Sequence, residues 1–229
     1  MSVQVVALVP VAGRGDRPGT DVPGALVSVG GAPLLVHAVN GLLESGRVHQ
    51  VVAAAAPSDV DTVTAALASA GAAVRVVTGG PGESLRAALA SAPEAGVALV
   101  HDATRAFTPP ELVGTVVDAV LAGGRVVIPV LPVTDTVKRV DPDGRVLATP
   151  DRAGLRTVQT PQGFAVDVLR AAPDLADLVG AAGGAALADR LDEKIVTVPG
   201  HPYAMRIATP FDLAVAEALL SGPDRSTSG

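Results

Sequence analysis

No cysteine occurs among the 229 residues, so disulfides, thiolate nucleophiles and Cys-ligated metals are excluded, and the chain is indifferent to the redox state of its compartment. Positive charge is also scarce, with 17 Lys and Arg against 23 Asp and Glu and a formal charge of -6. A general nucleic-acid binder needs concentrated Lys and Arg to meet phosphate, so that class is disfavoured while a local basic pocket is still allowed. No apolar stretch reaches the length of a membrane span, and the opening Met-Ser-Val-Gln-Val-Val has no basic leader region. A cytoplasmic protein with no membrane and no nucleic-acid partner is the simplest expectation. Charged residues reach only 17% against 48% hydrophobic, which excludes a disordered chain. The length allows one large domain, or one domain with an appendage.

Short apolar runs alternate with alanine-rich segments of helical period. Strands are expected at Val3 to Val9, Val48 to Ala55, Val74 to Val77, Val97 to Val100 and Arg125 to Pro129. Helices are expected between them at Pro33 to Leu43, Val60 to Ala70, Glu83 to Ala92 and Pro110 to Ala122. Strand after helix after strand gives βαβ units, hence an α/β fold with a mostly parallel sheet and helices on both faces. Ligands of such sheets bind beyond the carboxyl ends of the strands. The candidate site is therefore the loops after Val9, Ala55, Val77 and Val100.

From Leu131 the texture changes. Val133 to Val140 alternates apolar and polar, Asp141-Pro142-Asp143-Gly144 signals a turn, and Arg145 to Thr149 resumes extended chain, which reads as a β-hairpin arm at about 133–160. Such an arm commonly finds cover against a second subunit. Beyond Phe164 a helix is expected, then a loose Gly/Ala loop at Gly180 to Ala188. Late strands at Lys194 to Val198 and Met205 to Ile207 and a helix at Pro210 to Leu220 complete residues 1–220, and 221–229 reads as a disordered tail.

Four constellations carry candidate chemistry. Val9-Pro10-Val11-Ala12-Gly13-Arg14-Gly15-Asp16-Arg17-Pro18-Gly19 follows a buried-strand pattern, and its glycines let backbone amides approach a phosphate. It matches neither the P-loop nor the dinucleotide fingerprint, and by itself reads equally as a structural turn with solvated Arg14 and Arg17. In His101-Asp102-Ala103-Thr104-Arg105, Asp102 is placed either to hold Mg²⁺ with few protein ligands or to cap the next turn. His101 reads as packed or hydrogen-bonded rather than catalytic. Thr134-Asp135-Thr136-Val137-Lys138 and the run Asp151 to Phe164 offer hydroxyls and arginines to an anionic substrate, or simply decorate a solvated β surface.

In order and spacing, four patterns resemble the 2-C-methyl-D-erythritol 4-phosphate cytidylyltransferase family over about residues 3–220. They are the P-x-A-G-x-G-x-R loop, the V-H-D-A-x-R segment, the D-T-x-K segment and the D-R-x-G-L-x-x-x-x-T-P-Q-x-F run. The resemblance implies a Rossmann-like nucleotidyltransferase core, a homodimer joined by exchanged β-arms, and Mg²⁺-dependent transfer of CMP from CTP to methylerythritol phosphate with release of pyrophosphate. It implies that Arg17 stabilises the reacting phosphorus and that Asp102 holds the metal. Ala12, Gly13, Gly80 and Ser84 would lie along the nucleotide. Arg105, Thr136, Arg152 and Thr160 would lie on the methylerythritol phosphate side, some supplied across the dimer.

The departures are specific. The family's lysine after the proline of Asp21-Val22-Pro23 is here Gly24, and losing such a charge-assisted contact commonly costs about 10²-fold in rate. Lys138 and Arg14 are the nearby candidates to compensate. The segment after Gly79-Gly80 is short and lacks the family's arginine, and Gly184 to Asp189 stands where a T-D-[DE]-A-S segment is expected. Arg206 replaces the family's late lysine, keeping the charge with a different geometry. Three readings follow: an active cytidylyltransferase with an altered site, a nucleotidyltransferase for another alcohol phosphate, and a degenerate paralogue that keeps the fold and nucleotide binding.

Overall fold

The computed structural model describes residues 3–11, 23–79, 81–172, 174–175 and 192–222, excluding the side chains of Pro81 and Ser84. Strand β1 (Gln4–Val11) is followed by a tight hairpin, β2 (Ser28–Val29) and β3 (Ala32–Pro33), then by α1 (Leu34–Glu44), β4 (Gln50–Ala55), α2 (Val60–Ala66) and β5 (Val74–Thr78). Next come α3 (Pro81–Ala90), β6 (Ala95–Val100), α4 (Pro110–Leu121) and β7 (Val126–Pro132). The small hairpin β8 (Arg139–Val140) and β9 (Val146–Ala148) precedes β10 (Arg156–Val158), β11 (Gln162–Ala165), α5 (Val166–Ala171), β12 (Ile195–Pro199) and α6 (Pro210–Ser221).

β1 lies between β4 and β6 in parallel register, and β5 extends the sheet beyond β4. Alternation along β1 divides the core: Val5, Ala7, Val9 and Val11 pack with α1, α2 and α4, whereas Val6 and Leu8 pack with α3 and α5. A strand buried on both faces must be apolar throughout, which is why these runs are unbroken Val, Ala and Leu.

The far half of the sheet departs from the expected strand order. β11 inserts antiparallel between β6 and β7, and β10 continues along β7 as the same kinked chain, with a cis Thr160–Pro161 peptide at the kink. β12 then adds in parallel to β7. The hairpin β2–β3, not foreseen, turns through Gly30 and Gly31 at φ 58 and 79°, where glycine escapes the Cβ clash of the left-handed region.

Met205 to Ile207 is not a strand: Pro202–Ala204 forms a short 3-10 turn, and the Ile207 amide donates to the Thr104 carbonyl of a loop. Within the expected arm, hairpin pairing covers only β8 and β9, and β10 pairs back on β7; Val133 to Lys138 has no strand partner among the described residues. Helix α6 opens with a Thr209–Asp212 capping box, yet its only fully buried side chain is Ala216 and Phe211 stays 76% exposed. The expected helix therefore packs through Ala216 and the partly buried Leu213. The expected loop at Gly180 to Ala188 lies outside the described residues, as does all of the expected tail beyond Gly222.

Candidate active site

The carboxyl end of β6 delivers the site. His101 continues the ladder by donating its amide to Leu8 (2.9 Å), and a turn then closes from the Arg105 amide to the Asp102 carbonyl (2.9 Å). Asp102 Oδ1 accepts from the Thr104 amide at 2.9 Å and from its hydroxyl at 2.7 Å. Capping, one of the two roles open to Asp102, thus occupies one oxygen. Its Oδ2 faces Arg206 Nε at 3.5 Å, with the two side chains 34% and 43% exposed.

The kink between β10 and β11 brings Thr160 against this turn. Its Oγ1 accepts the Asp102 amide at 3.0 Å and lies 3.1 Å from His101 Nδ1. His101 is buried, and its Nε2 has no hydrogen-bond partner among the described residues. Burial pushes its pKa from 6.5 down to about 4, against the attraction of Asp102 and with the help of the Arg105 charge. The ring is neutral near pH 7, in keeping with a packed histidine.

Arg105 reaches back into the protein, donating from Nη1 to Ala204 O at 2.7 Å and from Nη2 to Val158 O at 3.2 Å. Burial lowers its pKa from the usual guanidinium value, opposed by Asp102 and assisted by Arg206. Beside it, the buried Gln159 amide accepts from the His201 amide at 2.9 Å and donates to His201 O at 2.9 Å and Ala204 O at 3.3 Å. Gly24 sits at the rim, where a Cβ would meet Thr104 Cγ2 at 3.4 Å, an ordinary contact. Among the described residues, nothing in the backbone or packing requires glycine there.

The structure thus brings Asp102, Arg105, Thr160 and Arg206 together with His101, Thr104 and Gly24. Thr136 and Arg152 lie apart, exposed on the excursion between β7 and β10, with Arg152 Nη1 donating to Thr134 O. Lys138, a candidate to replace the missing charge, is on the same excursion and donates to Thr149 Oγ1 at 2.7 Å. Ala12, Gly13, Arg14, Arg17, Gly80 and the Ser84 side chain lie outside the described residues, as does Gly184 to Asp189. Among the described residues no cluster of three or more His, Cys, Asp or Glu stands ready for a metal. Asp102 alone, whose part-exposed Oδ2 faces Arg206, is the carboxylate that would fit Mg²⁺, which takes one carboxylate and completes its shell with phosphate oxygens and water.

Comparison with known proteins decides what this arrangement belongs to. The family model described as IspD, 2-C-methyl-D-erythritol 4-phosphate cytidylyltransferase, matches residues 5–222. The chain belongs to the 2-C-methyl-D-erythritol 4-phosphate cytidylyltransferase family. A relative of that name from Saccharopolyspora erythraea is 56% identical over 225 residues, covering 96% of this chain and 100% of the relative. One from Nocardia farcinica is 52% identical over 218 residues, covering 94% of each. The crystal structure of the Thermus thermophilus cytidylyltransferase superposes with a TM-score of 0.72 at 30% identity, covering 97% of this chain and 100% of that one. The 4-diphosphocytidyl-2C-methyl-D-erythritol synthase of Anaerococcus prevotii gives 0.78 at 25% identity, over 96% and 99% of the two chains. The α/β core with its mostly parallel sheet is that of the cytidylyltransferase structures.

Two polar residues of this cytidylyltransferase fold escaped the sequence reading. Thr104 stands two residues after Asp102, the spacing at which a side-chain carboxylate caps a turn, so a signal for it existed. Gln159 carried none, because its partners come from residues 201 and 204, more than 40 positions away.

Proposed function

We propose that the chain transfers CMP from CTP to 2-C-methyl-D-erythritol 4-phosphate, releasing pyrophosphate, as a cytoplasmic homodimeric enzyme of isoprenoid precursor synthesis. The observation that carries this reading is the Asp102–Thr160–Arg206 cluster at the carboxyl end of β6, in a chain that matches relatives of that name over nearly its full length. In the reaction a phosphate oxygen of the acceptor bonds to the α-phosphorus of CTP in line, the bond to pyrophosphate breaks, and no covalent enzyme intermediate is needed. The protein's task is to hold both anions and to meet charge at the α-phosphoryl group.

Within that task Asp102 Oδ2 would hold Mg²⁺, which supplies neutralising charge to the triphosphate when bound. Arg206 lies beside it and presents a guanidinium to phosphate oxygens, and Arg17 takes the reacting phosphorus from the preceding loop. The Thr160 hydroxyl faces the acceptor, while Thr136 and Arg152 serve the acceptor phosphate of a partner subunit across the arm. Ala12, Gly13, Gly80 and Ser84 line the nucleotide. Arg105 belongs to the acceptor side through the backbone that it braces.

The arm supports the dimer. Val140, Val146 and Leu147 are 51, 60 and 58% exposed on a two-stranded hairpin, an element too small to be stable without cover. One observation favours a second reading, a chain of reduced turnover: Gly24 provides no cation although a Cβ fits there among the described residues. Pyrophosphate release from CTP, Mg²⁺ and methylerythritol phosphate, measured for the chain and for Gly24→Lys, separates the two. Turnover by the natural chain supports the enzyme; background rates in both support the relic.

A further inference from the structure

Residues 200–207 connect β12 to the start of α6 and carry Arg206 to the site. As an excursion outside regular secondary structure for most of its length, this loop needs its backbone groups satisfied by neighbours. The Gly200 amide donates to Val130 O at 2.8 Å, and at the other end the Ile207 amide donates to Thr104 O at 2.9 Å. Between these ends the chain is held chiefly by one buried side chain. The Gln159 amide pairs with both the N–H and the C=O of His201, as a neighbouring strand would, and its NH₂ also reaches Ala204 O. Space there is fully used: a Cβ at Gly200 would overlap Gln159 Oε1 and crowd Val130 O.

We propose that Gln159 is a positioning residue that sets Arg206 beside Asp102, and so fixes where this site's late cation meets phosphate. It is well suited to that task. It lies on the kink that also supplies Thr160, one position earlier, so a single local conformation places Thr160 against Asp102 and holds the loop at His201 and at Ala204, two residues short of Arg206. Arg105 Nη1 shares Ala204 O and braces the same carbonyl from the Asp102 side. Loss of the Gln159 amide leaves the part-buried His201 N–H without its partner and the His201 C=O with the Ala204 amide alone, and the loop relieves this by shifting.

The proposal rests on the transferase reading, and its test keeps the two apart. Gln159→Leu, similar in volume and without the polar atoms, is expected to lower kcat/KM by roughly 10- to 100-fold, the cost of a misplaced group at a phosphoryl centre. In an Arg206→Ala background the same substitution is expected to change kcat/KM by less than about threefold, because an effect acting through Arg206 vanishes with it. Equal losses in both backgrounds, or wild-type kinetics in folded Gln159→Leu, overturn the proposal. Amide exchange supplies a readout independent of turnover: Gln159→Leu should speed exchange at Ile207 as well as at His201, and an unchanged Ile207 overturns the clamp. If the wild-type chain shows no turnover, the transferase reading falls while the exchange result still decides the clamp. Should Gln159→Leu fail to give a cooperative melt, Gly200→Ala, whose methyl displaces the same amide, takes its place in both measurements.

Discussion

At Thr160 one hydroxyl serves two neighbours, accepting the Asp102 amide and touching His101 Nδ1. Thr160→Val keeps the shape and removes both contacts, so the part-buried Asp102 amide loses its partner at a cost of about 1 kcal/mol. The melting temperature and kcat/KM should both fall, whereas Thr160→Ser should retain most of each; equal behaviour of the two variants would count against the hydroxyl's role. His101 gives a pH-dependent counterpart. Its folded pKa of about 4 lies below the ordinary 6.5, so the unfolded chain takes up the proton first as pH falls. The stability that neutral burial confers is complete above pH 6.5 and is lost progressively down to about 4, on the order of 3 kcal/mol in all. Thermal melts of the wild type should drop across that window, and His101→Asn should flatten the drop. An identical slope in the variant would show that other groups set it.

Among the elements, what could be read in advance divides by where the determining contacts come from. β1, β4 and β6 carry their own signal because both faces are buried, leaving unbroken apolar runs. β10 and β11 do not: Arg-Thr-Val and Gln-Gly-Phe-Ala are short, and the place of β10 along β7 and of β11 between β6 and β7 is set by partners far away in the chain. For the same reason Asp102 could be singled out from its position after a strand, while the Gln159 contacts could not. The inserted strand also imposes a steric rule at Gly163, where a Cβ would approach Val116 Cγ1 and Val120 Cγ2 at 2.7 and 2.8 Å. Gly163→Ala should push α4 outward and cost about 1–3 kcal/mol of stability. An unchanged denaturation midpoint would mean that α4 moves freely. On the arm, replacing Val146 and Leu147 together by Asp should convert a dimer to a monomer in light scattering at micromolar concentration. A wild-type chain already monomeric there would contradict cover of the arm by a second subunit.

For the molecule as a whole, the sheet gathers Asp102, Thr160, Arg105 and Arg206 at one end, and leaves Thr136 and Arg152 on an arm exposed within its own chain. The proposed dimer would resolve that separation, since a partner's arm can bring what each chain's own arm does not. Gly24 is the remaining tension. Its described surroundings accept a Cβ, so Gly24→Lys should fold with little change in melting temperature and raise kcat/KM by about tenfold or more if the triphosphate lacks a cation there. An unchanged rate would show that the cations already present suffice. The most direct measurement is pyrophosphate release by the natural chain with CTP, Mg²⁺ and methylerythritol phosphate, run beside Asp102→Ala and Arg206→Ala. The expected result is CTP- and acceptor-dependent release that both substitutions reduce by about 10²-fold or more; release no greater than background from the natural chain, or release that both substitutions leave intact, contradicts it.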